Sequence, residues 1–214
     1  MYKLFEKVPV IEGDRIILKR IEYEDADLLD ELSKDSDIYR FLPTYLLEQE
    51  IEDKDELIET LYTKCLEEKT SLFLGIYLRD AEDAVGADDA GADAGADVTG
   101  TEAAGTGQEP GSEQRPEFCG VIELYDYKDH IHKVSLGCRL LPRYWGKGIA
   151  TEAVRMIVDH LYAETDIEIV TASTMQENDA SNKVLGKCGF EKTTDSKEED
   201  WGFGEDIPTK VWFV

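Results

Sequence analysis

The sequence predicts an α/β (α+β) fold built on one mixed sheet. Strand-like runs recur along the chain, and two amphipathic helical segments stand near its front. The helical segment "GIATEAVRMIVDHLY" separates the strand-like "KVSLGCRLL" from "IEIVTAST", the pattern of a crossover between neighbouring strands.

Taken in order, "DRIILKRIE" mixes alternation with β-branched residues and predicts a strand over residues 15–21. "EDADLLDELSKD" sets Ala26, Leu29 and Leu32 at helical spacing behind acidic residues that suit the positive end of a helix dipole. "DIYRFLPTY" predicts a short helical or turn segment stopped at Pro43, and "DELIETLYTKCLEEK" a helix with Leu57, Ile58, Leu61, Cys65 and Leu66 along one side. "SLFLGIYLR" and "FCGVIELYDY" predict two strands, and "KVSLGCRLL" a third. The crossover helix, from Gly148 to about Tyr162, is expected to bury Ala150, Ala153, Val154, Ile157 and Leu161. The strand "IEIVTAST", the short helix "DASNKVLGKC" and the closing strand "KVWFV" complete the chain.

With 214 residues and 42% hydrophobic content, the expectation is one domain, 1–214, with a sizeable core. No run reaches the roughly eighteen apolar residues of a membrane span, and "MYKLFEKVPVIEGDR" has no apolar signal centre, so the expected location is cytoplasmic, with no membrane partner. A net charge of −25 argues against nucleic acid, whose phosphates are met by clustered Lys and Arg. Residues 80–117 carry −10 of that charge. This Gly-, Ala- and Asp-rich stretch has almost no large apolar side chains with which to offset its ordering entropy, and it is expected to be an acidic loop insertion between two strands. A role as an acidic arm for basic partners is the other reading.

Cys65, Cys119, Cys138 and Cys188 are scattered within apolar patterns and are expected to be buried free thiols. His130 and His132 have no further ligand nearby, so a loop or strand end is expected there and no metal site.

The turn "PRYWGKGIAT" carries the chemistry. The first amides of a helix have no internal partners and, with the helix dipole, attract an anion where glycine lets it approach. Arg143 and Lys147 add charge around Gly146 and Gly148. A Walker loop would need Ser or Thr after Gly-Lys, and a dinucleotide fingerprint would need a third small residue where Thr151 stands. The remaining readings are a different pyrophosphate cradle or a plain strand-turn-helix.

These residues resemble the GNAT superfamily of acyl-CoA-dependent N-acetyltransferases, and within it the RimJ/RimL-like branch. Arg143, Gly146 and Gly148 match [QR]-x-x-G-x-[GA], and the branch's fuller pattern runs from Gly137 to Ala153. A second block, N-x-x-S-x-[KR]-V-L-x-K-x-G-F, is met by Asn178, Ser181, Lys183, Val184, Leu185, Lys187, Gly189 and Phe190. The resemblance spans nearly all of the chain outside residues 80–117.

The resemblance implies a mostly antiparallel sheet flanked by helices, with a splayed central strand pair forming the acyl-CoA cleft, and acetyl-CoA as cosubstrate. Amides from Trp145 through Gly146, Lys147, Gly148, Ile149 and Ala150 to Thr151 would hold the pyrophosphate, with Arg143 beside them. The backbone of Arg139, Leu140 and Leu141 would pair with the pantetheine arm, and an amide near Leu140 or Leu141 would polarise the thioester carbonyl. Asn178 would bind the same arm, or cap a helix, or both; Lys183 joins the cofactor-binding set.

The Tyr that many members carry before the Gly-Phe pair is replaced by Leu185, which makes Ser181 the candidate acid, the other reading being a helix-surface Ser. The Glu often found two residues before the strand Gly is Ser135 here. Glu123 is the candidate base, as an acid in an apolar strand whose pKa could be raised; an outward-facing Glu or a water-relayed proton are the alternatives. The expected acceptor is a primary amine, either a protein N-terminus or a small molecule. The expected state is a monomer or homodimer. A non-catalytic acyl-CoA-binding module is the second functional class.

Overall fold

The computed structural model describes residues 1–43, 50–79 and 115–214. Among them the strands are β1 (Ile11–Glu12), β2 (Ile16–Lys19), β3 (Ser71–Leu78), β4 (Glu117–Lys128), β5 (Lys133–Leu140), β6 (Ile169–Met175), β7 (Glu191–Asp200) and β8 (Asp206–Phe213). The helices are α1 (Ala26–Lys34), α2 (Ser36–Tyr39), α3 (Lys54–Tyr62), α4 (Lys64–Glu67), α5 (Ile149–Glu164) and α6 (Asp179–Lys187). All eight strands form one sheet in the order β1-β2-β3-β4-β5-β6-β8-β7. Every pairing is antiparallel except β5 with β6, the pair that α5 connects. The sheet is thus mixed and mostly antiparallel.

The apolar run of β3 is buried almost throughout, as suits a strand covered on both faces. On one face, Thr174 of β6 donates to Asn182 of α6 at 2.7 Å, and Arg155 of α5 donates to the Lys187 carbonyl at 2.6 Å, so α5 and α6 lie together there. On the other face, Tyr77 of β3 donates to Asp25, at the start of α1, at 2.6 Å. Tyr62 of α3 donates to the Phe73 carbonyl at 3.1 Å and accepts from the Ile21 amide at 2.8 Å. The front helices therefore cover this second face, with Leu29, Leu32, Ile58 and Leu61 almost fully buried.

Several expectations change. The helix expected over "DELIETLYTKCLEEK" is interrupted at Thr63 (φ −107°, ψ −78°), where both the amide (2.9 Å) and the hydroxyl (2.6 Å) donate to the Glu59 carbonyl. Ala150 is only half-buried, because it sits in the first turn of α5 beside the cleft described below. Cys138 and Cys188 are half-buried free thiols, whereas Cys65 and Cys119 are buried. His130 lies in a short 3-10 turn, and His132 ends it with φ 51°. Two strands were not expected: the two-residue β1, and β7, whose "EKTTDSKEED" has no apolar residue, as suits the sheet's outer edge.

The expected insertion lies almost wholly outside the described residues. Its last residue, Glu117, already pairs with Leu78 in the β3–β4 ladder, and Arg115 reaches Asp25 at 2.7 Å. Among the described residues, no helix is long and apolar enough to cross a membrane.

Candidate active site

The site begins where the sheet comes apart. β5 and β6 are in register only at Lys133–Ile169, Val134–Val170 and Ser135–Thr171, yet β5 continues to Leu140 and β6 to Met175. Past Ser135 the strands diverge, and a cleft of about 1150 Å³ opens between them.

The backbone of β5 determines what the cleft can bind. Leu141 donates its amide to the Cys119 carbonyl at 2.9 Å, on the β4 side. Polar groups alternate along a strand, so those of Arg139 and Gly137 also face β4, while those of Cys138 and Leu140, beyond the last β5–β6 pair, face the gap. Of the three residues expected to offer backbone, Leu140 alone does so. Its carbonyl accepts from the Trp145 indole at 2.8 Å, which leaves its amide aimed at the cleft. Leu141 is fully buried with its amide engaged, and Arg139 contributes its side chain instead.

At the end of β5 the turn leads into the mouth of α5. Gly146 (φ 73°) and Gly148 (φ 75°) both adopt the left-handed conformation that favours glycine. Gly148 is the N-cap and makes no side-chain cap, and the first helical bond runs from the Glu152 amide to the Gly148 carbonyl at 3.0 Å. The amides of Ile149, Ala150 and Thr151 therefore have no carbonyl within the helix to meet. The cleft wall includes Gly146, Gly148 and these three residues, but neither Arg143 nor Lys147. The expected cationic side chains are turned elsewhere: Arg143 pairs with Glu31 at 2.7 Å, and Lys147 lies 5.6 Å over the Tyr144 ring. Trp145 is 45% exposed beside the turn.

The second motif forms another wall. Asn178 caps α6 by accepting from the Ser181 amide at 3.0 Å, the capping role anticipated for it. Asn178, Ser181 and Lys183 all line the cleft, Ser181 half-buried and Lys183 exposed. Glu123 lines it as well, but from the opposite face. It pairs directly with Gly137, which shares a face with Ser135 and Thr171 and not with Thr174. The two catalytic candidates thus reach the cleft from the two sides of the sheet.

Glu123 is not in apolar surroundings. Arg139 donates to it at 3.3 Å and the Ser71 hydroxyl at 3.0 Å, and the Arg139 side chain is 5% exposed. The Glu123 carboxylate is thus held by a cation and a hydroxyl. Burial pushes the Cys138 thiol on β5 up to about 12, which disfavours its thiolate form. Among the described residues, no group of three or more His, Cys, Asp or Glu is placed to hold a metal.

Residues 15–191 match the family model described as acetyltransferase (GNAT) domain. The chain belongs to this family. As a GNAT acetyltransferase it is 22% identical over 206 residues to YoaA of Bacillus subtilis, named an uncharacterized N-acetyltransferase, with 96% of each chain covered. Its fold is similar to that of Mycobacterium smegmatis RimJ in complex with CoA-disulfide (TM-score 0.70, 15% identity, covering 100% of this chain and 90% of that one). It is also similar to spermidine N-acetyltransferase from Vibrio cholerae in complex with CoA and spermine (TM-score 0.65, 16% identity, covering 94% and 96%).

Two polar residues at the GNAT cleft have partners that the sequence did not point to: Ser135, noted there only as standing in place of a Glu, and Glu199, which carried no signal. Ser135, where the strands part, is 3.0 Å from the Thr171 hydroxyl and accepts from Lys133 at 3.3 Å. Glu199 of β7 accepts from Lys197 at 2.9 Å, from the Trp201 indole at 3.2 Å and from Ser173 at 3.3 Å. Burial pushes its carboxyl up, but these donors outweigh burial and hold it below the usual carboxylate range. Two of these contacts, Ser135 with Thr171 and Ser173 with Glu199, join strands distant in sequence, so no local spacing announces them.

Proposed function

We propose that the protein transfers an acetyl group from acetyl-CoA to a primary amine by direct attack in a ternary complex. The observation that carries this reading is the junction of two features in one cleft. The β5–β6 split opens backbone groups at Cys138 and Leu140, and it leads into the uncapped mouth of α5 with glycine at positive φ. An extended amide-bearing arm fits the first and a pyrophosphate the second.

In this reading the amides from Gly148 to Thr151 hold the pyrophosphate, and the Leu140 amide donates to the thioester carbonyl. The amine nitrogen attacks the carbonyl carbon, the C–S bond breaks, and Ser181 passes a proton to the departing thiolate while taking one from water, which restores its hydroxyl. Most of the acceleration comes from holding amine and thioester in line and from the fixed donor on the developing oxyanion. Glu123, fastened by Arg139 and Ser71, orients the acceptor from the other face, and the amine's proton leaves through water.

The acceptor class is a protein N-terminus or a small-molecule amine. A chain of −25 net charge suits cationic amines and not nucleic acid. One domain working in the cytoplasm, as monomer or homodimer, fits the same reading. The test is amine-dependent release of free CoA from acetyl-CoA over a panel of N-terminal peptides, polyamines and aminoglycosides. Release with at least one amine class, absent without amine, is expected. Binding of acetyl-CoA with no release across the panel would refute transfer to these amines.

A further inference from the structure

The mouth of α5 contains an apparent contradiction. It is read as a site for an anion, yet its first turn carries the carboxylate of Glu152. A carboxylate there draws on the same helix-dipole field that a bound pyrophosphate would use, and repels the phosphates. A residue far away in sequence resolves this. Arg15, just ahead of β2, donates to Glu152 through its backbone amide at 3.2 Å and through Nε at 2.7 Å, and its Nη2 lies 2.7 Å from the same carboxylate. Both side chains are largely buried, at 25% and 20% exposure, so water screens the pair less than a surface ion pair.

Arg15 does a second thing. Its Nη1 donates to the Lys147 carbonyl at 3.1 Å. In a planar trans peptide the carbonyl and the next amide point in opposite directions. Holding the Lys147 carbonyl on Arg15 therefore turns the Gly148 amide away from Arg15. Gly148 lines the cleft, and its backbone is already restricted to φ 75°.

We infer that Arg15 is the positioning residue of the pyrophosphate cradle, neutralising Glu152 and fixing the Lys147–Gly148 peptide so that the amides at the mouth of α5 stay open to phosphate. This rests on the reading of that mouth as the CoA site. Arg15 acts through Glu152 and the peptide, and takes no part in the chemistry.

The test is calorimetric titration of CoA into the full chain and its Arg15→Gln and Glu152→Gln variants, with pantetheine, which lacks the pyrophosphate, titrated in parallel by ligand-observed NMR. Arg15→Gln should weaken CoA about tenfold, the effect of baring one charge close to the phosphates, and leave pantetheine unchanged. Glu152→Gln keeps an acceptor for the Arg15 amide and removes the competing charge, so it should bind CoA at least as tightly as the wild type.

Equal CoA affinity in Arg15→Gln and wild type, or equal weakening of CoA and pantetheine, would overturn the inference while leaving the cradle in place. So would weakened CoA binding in Glu152→Gln, which serves as the check if Arg15→Gln does not fold. Failure of the wild type to take up CoA would remove the cradle itself.

Discussion

Gly148→Asp tests the cradle most directly, because its effects on folding and on binding separate. A side chain at φ 75° costs about 1–2 kcal/mol, with Asp at the low end because it tolerates the left-handed region. A Cβ there would stand 3.4 Å from Arg15 Nη2, an ordinary contact, and the introduced carboxylate would have that guanidinium as a partner. The fold should therefore survive with a loss of about 1 kcal/mol. Binding should suffer far more. A carboxylate about 5 Å from one phosphate charge, at an effective dielectric of about 20–40, opposes it by about 2–3 kcal/mol, or roughly 30- to 150-fold in Kd.

Gly146→Ala is the companion. A Cβ at Gly146 meets nothing within 4 Å, so that variant should pay the backbone cost and lose much less affinity for CoA. The assay is calorimetry with CoA on variants shown to be folded by thermal melting. A folded Gly148→Asp protein whose Kd lies within about threefold of wild type would refute the reasoning, since it would place the phosphates elsewhere.

Ser181→Ala should lower kcat about ten- to a thousandfold with little change in acetyl-CoA affinity, since its bond forms as charge develops on sulfur; unchanged steady-state rates would remove Ser181 as the acid. Glu123→Gln should raise the acceptor KM while keeping the shape of the pH-rate profile, and loss of the acidic limb would instead restore Glu123 as the base. Replacing residues 82–113 with a short Gly/Ser turn should barely change the melting temperature. Extending the deletion through Arg115 should cost about 1–3 kcal/mol more, because it strips a partner from Asp25, which is 3% exposed; equal melting of the two deletions would show the ion pair to be idle. The Glu199 carboxyl is held below its ordinary value in the folded state, so its contribution to stability is present above the unfolded pKa and is lost as pH falls through the folded one. Glu199→Gln should accordingly flatten the acid limb of a pH-dependent melting series, and an unaltered limb would show that its donors contribute nothing.

What was legible in the sequence is what depends on near neighbours. Gly146 and Gly148 could be singled out because a turn entering a helix is a matter of a few adjacent dihedrals, and Asn178 because capping is settled within one turn. The crossover helix and its buried stripe followed from 3.6-residue periodicity. The same logic failed at β7, where an outer-edge strand has no apolar face to display, and at Thr63, where the backbone leaves the helical dihedrals within a periodic apolar pattern.

The tertiary structure decided the rest. Nothing in the order of residues says that β5 and β6 part company at Ser135 and Thr171, or that the Leu141 amide is used by Cys119 while that of Leu140 faces the gap. The motif's own cations, Arg143 and Lys147, turned out to be occupied at Glu31 and over Tyr144, while Arg15, 137 positions from Glu152, holds the turn. The physical reason is that dihedral preference and periodicity act over a few residues, whereas the direction of a strand amide and the partner of a charge depend on which distant segments the packed sheet brings alongside.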